Sequence, residues 1–192
     1  DTQYRSATEQ NDPIKNYIEA GNAFILSMPG TPCVFLTHWK NYRDEIKQLI
    51  TLRKLVGVHN QSAYAERSSA ANLYAAEVTG TNGKLIVACG NGAYTPSNDF
   101  ALVLSGKAYK VYASKSLETP WVNVPSSEKE QAFQVTLTAL STDTGAKLVY
   151  TTDGSEPTPS SKAVASGTGI TINASCTLKV GLLSGGKVKN IV

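Results

Sequence analysis

The chain has 192 residues, room for one large domain or two small ones, and its 41% hydrophobic and 17% charged residues exclude a disordered polypeptide. The net charge is only +3 and Lys and Arg are scattered, so no basic stripe marks a nucleic-acid surface. No apolar run approaches the roughly 20 residues that cross a bilayer, so the sequence points to neither nucleic acid nor membrane as a partner.

The N-terminus, Asp1-Thr2-Gln3-Tyr4-Arg5, has no initiator Met and no apolar leader, which predicts a chain that starts inside a longer protein. Cys33, Cys89 and Cys176 are odd in number and far apart, each in an apolar strand-like run. That spacing argues against a disulfide framework and a zinc site, and predicts small buried thiols with no metal centre.

Residues 1–57 read as helix, strand, helix. Asp12 is a good N-cap with Pro13 at the first helical position, and Ile14, Ile18, Gly21, Ile25 and Met28 repeat at helical spacing until Pro29-Gly30. Thr31-Pro32-Cys33-Val34-Phe35-Leu36 is an apolar run without alternation, the pattern of a strand buried on both faces of a parallel sheet. A second helix is expected over residues 42–56, with Ile46, Leu49, Ile50 and Leu52 on its apolar side and Gly57 as C-cap. The order is a piece of an α/β fold whose other strands must come from sequence outside this chain.

Residues 58–118 change period. Two strand-like runs flank Gly80-Thr81-Asn82-Gly83, and Asn-Gly between strands signals a hairpin. That segment lacks the spacing of a phosphate loop and no helix follows it. A second strand pair turns at Ser105-Gly106-Lys107, giving a small antiparallel domain. Residues 119–131, with Pro120 and Pro125, read as a linker. In residues 132–192, Phe133, Val135, Leu137 and Ala139 alternate with Gln134, Thr136 and Thr138. With Asp153-Gly154 and Ser184-Gly185-Gly186 as turns, this region predicts a small all-β sandwich.

The run from Gly21 to Phe35 resembles the end of the catalytic (β/α)8 barrel of the α-amylases, glycoside hydrolase family 13, with Met28-Pro29-Gly30-Thr31-Pro32-Cys33-Val34-Phe35 leading into the eighth strand. The following Thr37-His38 and the helix around Asp44-Glu45-Ile46-Lys47 are similar to that family too. The resemblance implies an α/β remnant, the last βα unit of a TIM barrel, followed by the family's antiparallel domain. Val149-Tyr150-Thr151-Thr152-Asp153-Gly154-Ser155-Glu156-Pro157 resembles the β-sandwich at the C-terminus of β-hexosaminidases.

Such enzymes cleave with a carboxylate nucleophile and a general acid. The resemblance puts both on barrel strands outside this chain, and assigns Asp1 as the third carboxylate, which stabilises the transition state; alternatively Asp1 is only the chain end. Barrel active sites lie at the C-terminal ends of the strands. There His38 and Trp39 would contact a sugar, or else pack the loop. Glu9, Asp12, Asp44 and Glu45 sit at helix starts and suit capping. His38 and His59 are the only histidines and no nucleophile elbow is present, so a Ser-His-Asp reading fails.

The implied partners are an α-glucan polysaccharide and the N-terminal barrel portion of the same protein. No cofactor is expected in this chain, though calcium is plausible in the parent enzyme through ligands upstream. The implied location is secreted, periplasmic or cell-surface. The competing reading is a non-catalytic carbohydrate-binding or spacer module, with Tyr150 as its one aromatic platform. If the chain folds by itself, the helix before Gly57 should shield one face of the second region, and the run at 33–36 would have an unpaired edge.

Overall fold

The computed structural model describes residues 16–192. The expected cap at Asp12-Pro13 and the catalytic assignment of Asp1 both lie outside these residues. Three helices come first: α1 (Ile18–Ser27), α2 (Leu36–Asn41) and α3 (Arg43–Val56). A five-stranded antiparallel sheet follows, from β1 (Ala63–Ala70), β2 (Leu73–Thr79), β3 (Lys84–Gly90), β4 (Phe100–Gly106) and β5 (Tyr109–Ser114), in the order β1-β2-β3-β5-β4. Both expected hairpins are present, with Leu73 opposite Gly90 and Thr79 opposite Lys84 in the first. The sequence did not signal β1, which is almost wholly exposed and lacks apolar alternation; it exists because β2 offers it a pairing edge.

The run at 31–36 is not a strand. Residues 31–35 carry no regular structure, and Leu36 already begins α2. An all-apolar run needs neighbours on both edges to satisfy its backbone as a strand, and no strand of the described residues lies beside it. The expected thiol burial fails for the same reason at Cys33, which is exposed, and also at Cys176; only Cys89 is partly buried. The barrel unit is therefore not formed among the described residues, whose strands are all antiparallel in their ladders.

Helix α1 also turns a different face inward. Its buried residues are Ala20, Asn22, Ala23, Leu26 and Ser27, and the small ones among them, Ala20, Ala23 and Ser27, let the helix close onto the sheet, while Ile25 remains 44% exposed. Helix α3 behaves as expected: Ile46, Leu49, Leu52 and Val56 are buried, and Gly57 ends it at φ 77°. These side chains join Val78, Leu85, Val87, Val103, Val111 and Ala113 in one core, so α3 does shield a face of the sheet. The opposite face gathers Leu73, Ala75, Ile86, Ala88 and Tyr112 under Tyr94 and Phe100. At about 1.5–3 kcal/mol per fully buried aliphatic side chain, the first core dominates the stability of this half.

The C-termini of α1 and α3 are closed from a distance. The Arg53 guanidinium donates to the carbonyls of Leu26 at 3.0 Å, Met28 at 2.7 Å and Gly30 at 2.7 Å, completing the end of α1. The turn of the first hairpin does the same for α3. Thr81 N–H donates to Gly57, Asn82 N–H to Val56 and the Asn82 amide to Leu55, at 3.1, 3.0 and 3.0 Å. Gly80 must lack a side chain there, because a Cβ would collide with the Val56 carbonyl.

The rest is the expected sandwich. A three-stranded sheet, β10 (Thr168–Ile172), β7 (Phe133–Leu140) and β6 (Thr119–Val122), packs on a four-stranded one, β12 (Lys187–Lys189), β11 (Lys179–Ser184), β8 (Lys147–Thr151) and β9 (Lys162–Val164). Its core is Val135, Leu137, Ala139, Leu148, Tyr150, Ile170, Val180 and Leu182. The segment expected as a linker is corrected in part: Thr119–Val122 is a strand, paired from Thr119 opposite Leu140 to Val122 opposite Leu137. Pro120 is tolerated because β6 lies at the edge of its sheet.

Candidate functional site

His38 and Trp39 lie on helix α2, not on a loop. The Asn22 amide nitrogen approaches His38 Nδ1 at 3.3 Å, and the His38 ring meets Phe35 edge-on at 5.3 Å between centroids. Trp39 packs against the first core, and the Arg43 guanidinium lies 5.7 Å from its ring centroid. Both residues are half-buried. Helix formation from Leu36 onward brings this about, by drawing His38 back toward Asn22 on α1.

The acidic residues have structural partners. Asp44 and Glu45 occupy the first turn of α3, where carboxylates favour the helix dipole, and Asp44 also pairs with Lys129 at 2.6 Å. Asp153 accepts from Ser155 N–H at 3.0 Å and Ser155 Oγ at 2.6 Å, which holds its carboxyl below the ordinary aspartate range and shapes the turn before Gly154, at φ 81°. Glu9 lies outside the described residues. Among the described residues no group of three or more His, Cys, Asp or Glu stands close enough to hold a metal ion.

The least expected carboxylate is Glu77, buried on the sheet face away from the helices. Burial alone would raise its pKa, but hydrogen bonds and charges from Lys84 and Arg67, each at 2.9 Å, outweigh it and hold the group below its usual range. A carboxylate kept anionic between two cations is a poor general acid, and this triad ties β1, β2 and β3 together. Sequence reasoning missed it because Arg67 and Lys84 lie 10 and 7 positions away and meet Glu77 only through strand register.

In the sandwich an open cleft of about 650 Å³ lies between the edges of β9 and β10, lined by Tyr150, Thr151, Lys162, Thr168 and Thr171 among others. Tyr150 is only 8% exposed, and the Lys162 ammonium sits 5.6 Å from its ring centroid. Its face is therefore taken, and it offers no flat platform for a sugar ring. Lys162 is also a charge at a sheet edge, a feature that discourages edge-to-edge pairing.

Among the described residues, helices pack on an antiparallel sheet and a small sandwich follows, and each of these two parts has its own likeness among known proteins. The family model for the chitobiase/beta-hexosaminidase C-terminal domain matches residues 124–191. The chain is 34% identical over 102 residues to the probable alpha-amylase 2 of Arabidopsis thaliana, covering 50% of this chain and 24% of that protein. It is 39% identical over 72 residues to the alpha-amylase type B isozyme of Hordeum vulgare, covering 36% and 45%. It is 37% identical over 90 residues to a glucan 1,4-alpha-maltotetraohydrolase of Stutzerimonas stutzeri, covering 44% and 16%. The chain thus spans less than half the length of the curated relatives it matches. Among the described residues no helix is long and apolar enough to cross a membrane.

Proposed function

We propose that this chain is the C-terminal part of an α-amylase-type hydrolase of glycoside hydrolase family 13. The parent protein would cleave internal α-1,4-glucosidic bonds of starch-like glucans by a retaining mechanism. In this reading the nucleophile and general acid stand on barrel strands outside the chain. Asp1 stabilises the transition state, His38 and Trp39 contact the glucan, and any calcium is held elsewhere in the parent. The likeness to α-amylases supports the class. One relative is named a chloroplastic alpha-amylase; the location proposed for the parent of this chain is secreted, periplasmic or cell-surface.

The observation that carries this reading is the uncovered apolar surface of the helical layer. Tyr17 just before α1, Phe24 and Ile25 on it, and Phe35 and Leu36 at the start of α2, are exposed, with Leu36 at 61%. They flank the run that forms no strand. Single exposed apolar residues are ordinary, but a group around an unmade strand is what a barrel remnant presents. The test is to compare this chain with the parent enzyme carrying its barrel. The isolated chain releases no reducing sugar from starch, and Asp1→Asn in the parent lowers kcat by at least about a hundredfold while leaving folding intact. Turnover by the isolated chain, or an unaffected Asp1→Asn parent, overturns the proposal.

The second reading, a non-catalytic module, is favoured for residues 124–191 by the family match. The covered face of Tyr150 tilts it from glycan binding toward a spacer. Affinity electrophoresis in starch-containing gels decides between them: a spacer migrates unretarded.

A further inference from the structure

Strand β6 serves two cores at once. Paired residues share a face in an antiparallel ladder, so Val122, Leu137 and Ala139 point into the sandwich, and Thr119, Trp121, Thr138 and Leu140 point the other way. The alternating pattern of β7 would put that second face in water. Instead it is covered: Trp121 is 3% exposed, Leu140 is fully buried, and Thr119 and Thr138 are buried beside them. Trp121 and Leu140 belong to the same apolar cluster as Leu52, Val103 and Val111 of the helix-and-sheet half. The three-stranded sheet is thus a shared middle layer.

Polar contacts follow the same seam. The Trp121 indole N–H donates to the Val103 carbonyl at 3.0 Å, on the open edge of β4. Gln48 and Lys47 of α3 donate to the carbonyls of Val122 and Ser126, each at 3.2 Å, and Lys129 reaches Asp44. Residues 122–129 therefore strap the outside of α3. At the far end Glu118, at φ 48°, accepts from Ser141 Oγ, Thr142 N–H and Thr142 Oγ1 at 2.8, 2.8 and 2.7 Å, and its carbonyl accepts from Asn190 at 2.7 Å. Its position just before β6 locks both sheets of the sandwich to the chain that enters them.

We propose that residues 118–192 are a fixed scaffold for the amylase-like half, clamping α3 onto the five-stranded sheet so that both halves unfold as one cooperative unit, and not a binding arm on a flexible tether. The inference stands on the shared layer and is independent of the catalytic reading. A tethered module would show a solvated face on its first strand and a mobile, uncontacted connection; here the first strand carries a tryptophan into its neighbour's core.

The experiment uses the full chain, with calorimetry and residue-resolved hydrogen exchange on the unaltered sequence, Trp121→Ala and Glu118→Gln. The unaltered chain gives one thermal transition with equal calorimetric and van't Hoff enthalpies. Trp121→Ala raises exchange in α3 and β7 by a common factor, more than about tenfold. Glu118→Gln, the milder change, also moves α3 and β7 together. Two resolved transitions in the unaltered chain overturn the proposal. So does exchange that rises in β7 while α3 keeps its protection in Glu118→Gln, even if Trp121→Ala fails to fold.

Discussion

The helical layer and the sandwich solve the same problem with different success. Both must bury apolar side chains offered by short elements. The sandwich finds every partner within the chain: Val135, Leu137, Leu148, Val180 and Leu182 are buried between its two sheets, and its exposed large apolar residues are only Ile191 and Val192 at the terminus. The helical layer does not, and leaves Tyr17, Phe24, Ile25, Phe35 and Leu36 in water. The difference teaches that an apolar run is an offer and not an element. Residues 31–36 are as apolar as β8, but β8 has β9 and β11 on its two sides and residues 31–36 have no strand beside them.

The largest expected effect sets the two regions side by side. Leu137→Ala, at a fully buried site, lowers unfolding free energy by about 2–5 kcal/mol in urea titrations. Leu36→Ala in the uncovered layer changes it by less than about 0.5 kcal/mol. Equal costs would show that the surface at Leu36 is packed in solution and erase the contrast. Next comes Arg53→Met, which keeps the aliphatic stem but strips three carbonyl contacts from the end of α1. A loss of about 1–3 kcal/mol, with faster exchange at the C-terminus of α1, is the expected result. No loss would mean that water closes the helix equally well.

Acid sharpens the comparison further. Glu77 and Glu118 both titrate below their ordinary range in the folded chain: burial opposes this, but Lys84 and Arg67 outweigh it for the first, and the Thr142 and Ser141 donors do so for the second. A depressed folded pKa contributes stability that is present above the unfolded value and lost as pH falls through the folded one. Stability therefore declines as pH drops below about 4.3, and Glu77→Gln flattens that decline. An unchanged pH profile in Glu77→Gln would remove the triad from the account. The smallest effect is chemical. Cys33 and Cys176 are exposed and take up iodoacetamide quickly at neutral pH, whereas Cys89, pushed up to about 11 by burial with its Sγ–H 3.5 Å from the Ala20 carbonyl, reacts only on unfolding. Fast labelling of all the thiols would contradict the packing of α1 on β3.

Much of this was legible in the sequence where the signal is local. Asn82-Gly83 fixed the first hairpin, Gly57 the end of α3, Asp153-Gly154 the sandwich turn, and the period-2 pattern from Phe133 the strand β7. What stayed hidden depends on partners. Strand β1 is exposed and carries no pattern, Trp121 sat between prolines in what read as a linker, and α1 chose Ala20 and Ala23 over Ile18 and Ile25 because small residues approach a sheet more closely. Of the site residues, His38 and Trp39 lie on helix α2 rather than on a loop. Their helical setting was missed because Thr37-His38-Trp39-Lys40 carries no cap.

The closing of α3 by the Gly80–Gly83 turn has a kinetic consequence. The last carbonyls of the helix are satisfied by amides that lie more than twenty residues downstream, presented only after β2 and β3 have paired. This predicts that the end of the helix closes only once that hairpin, which is local and quick to form, has paired. Substitutions at Asn82 should slow folding through the hairpin, while those at Leu55 should mainly speed unfolding, a partition that φ-values from chevron kinetics can reverse or uphold.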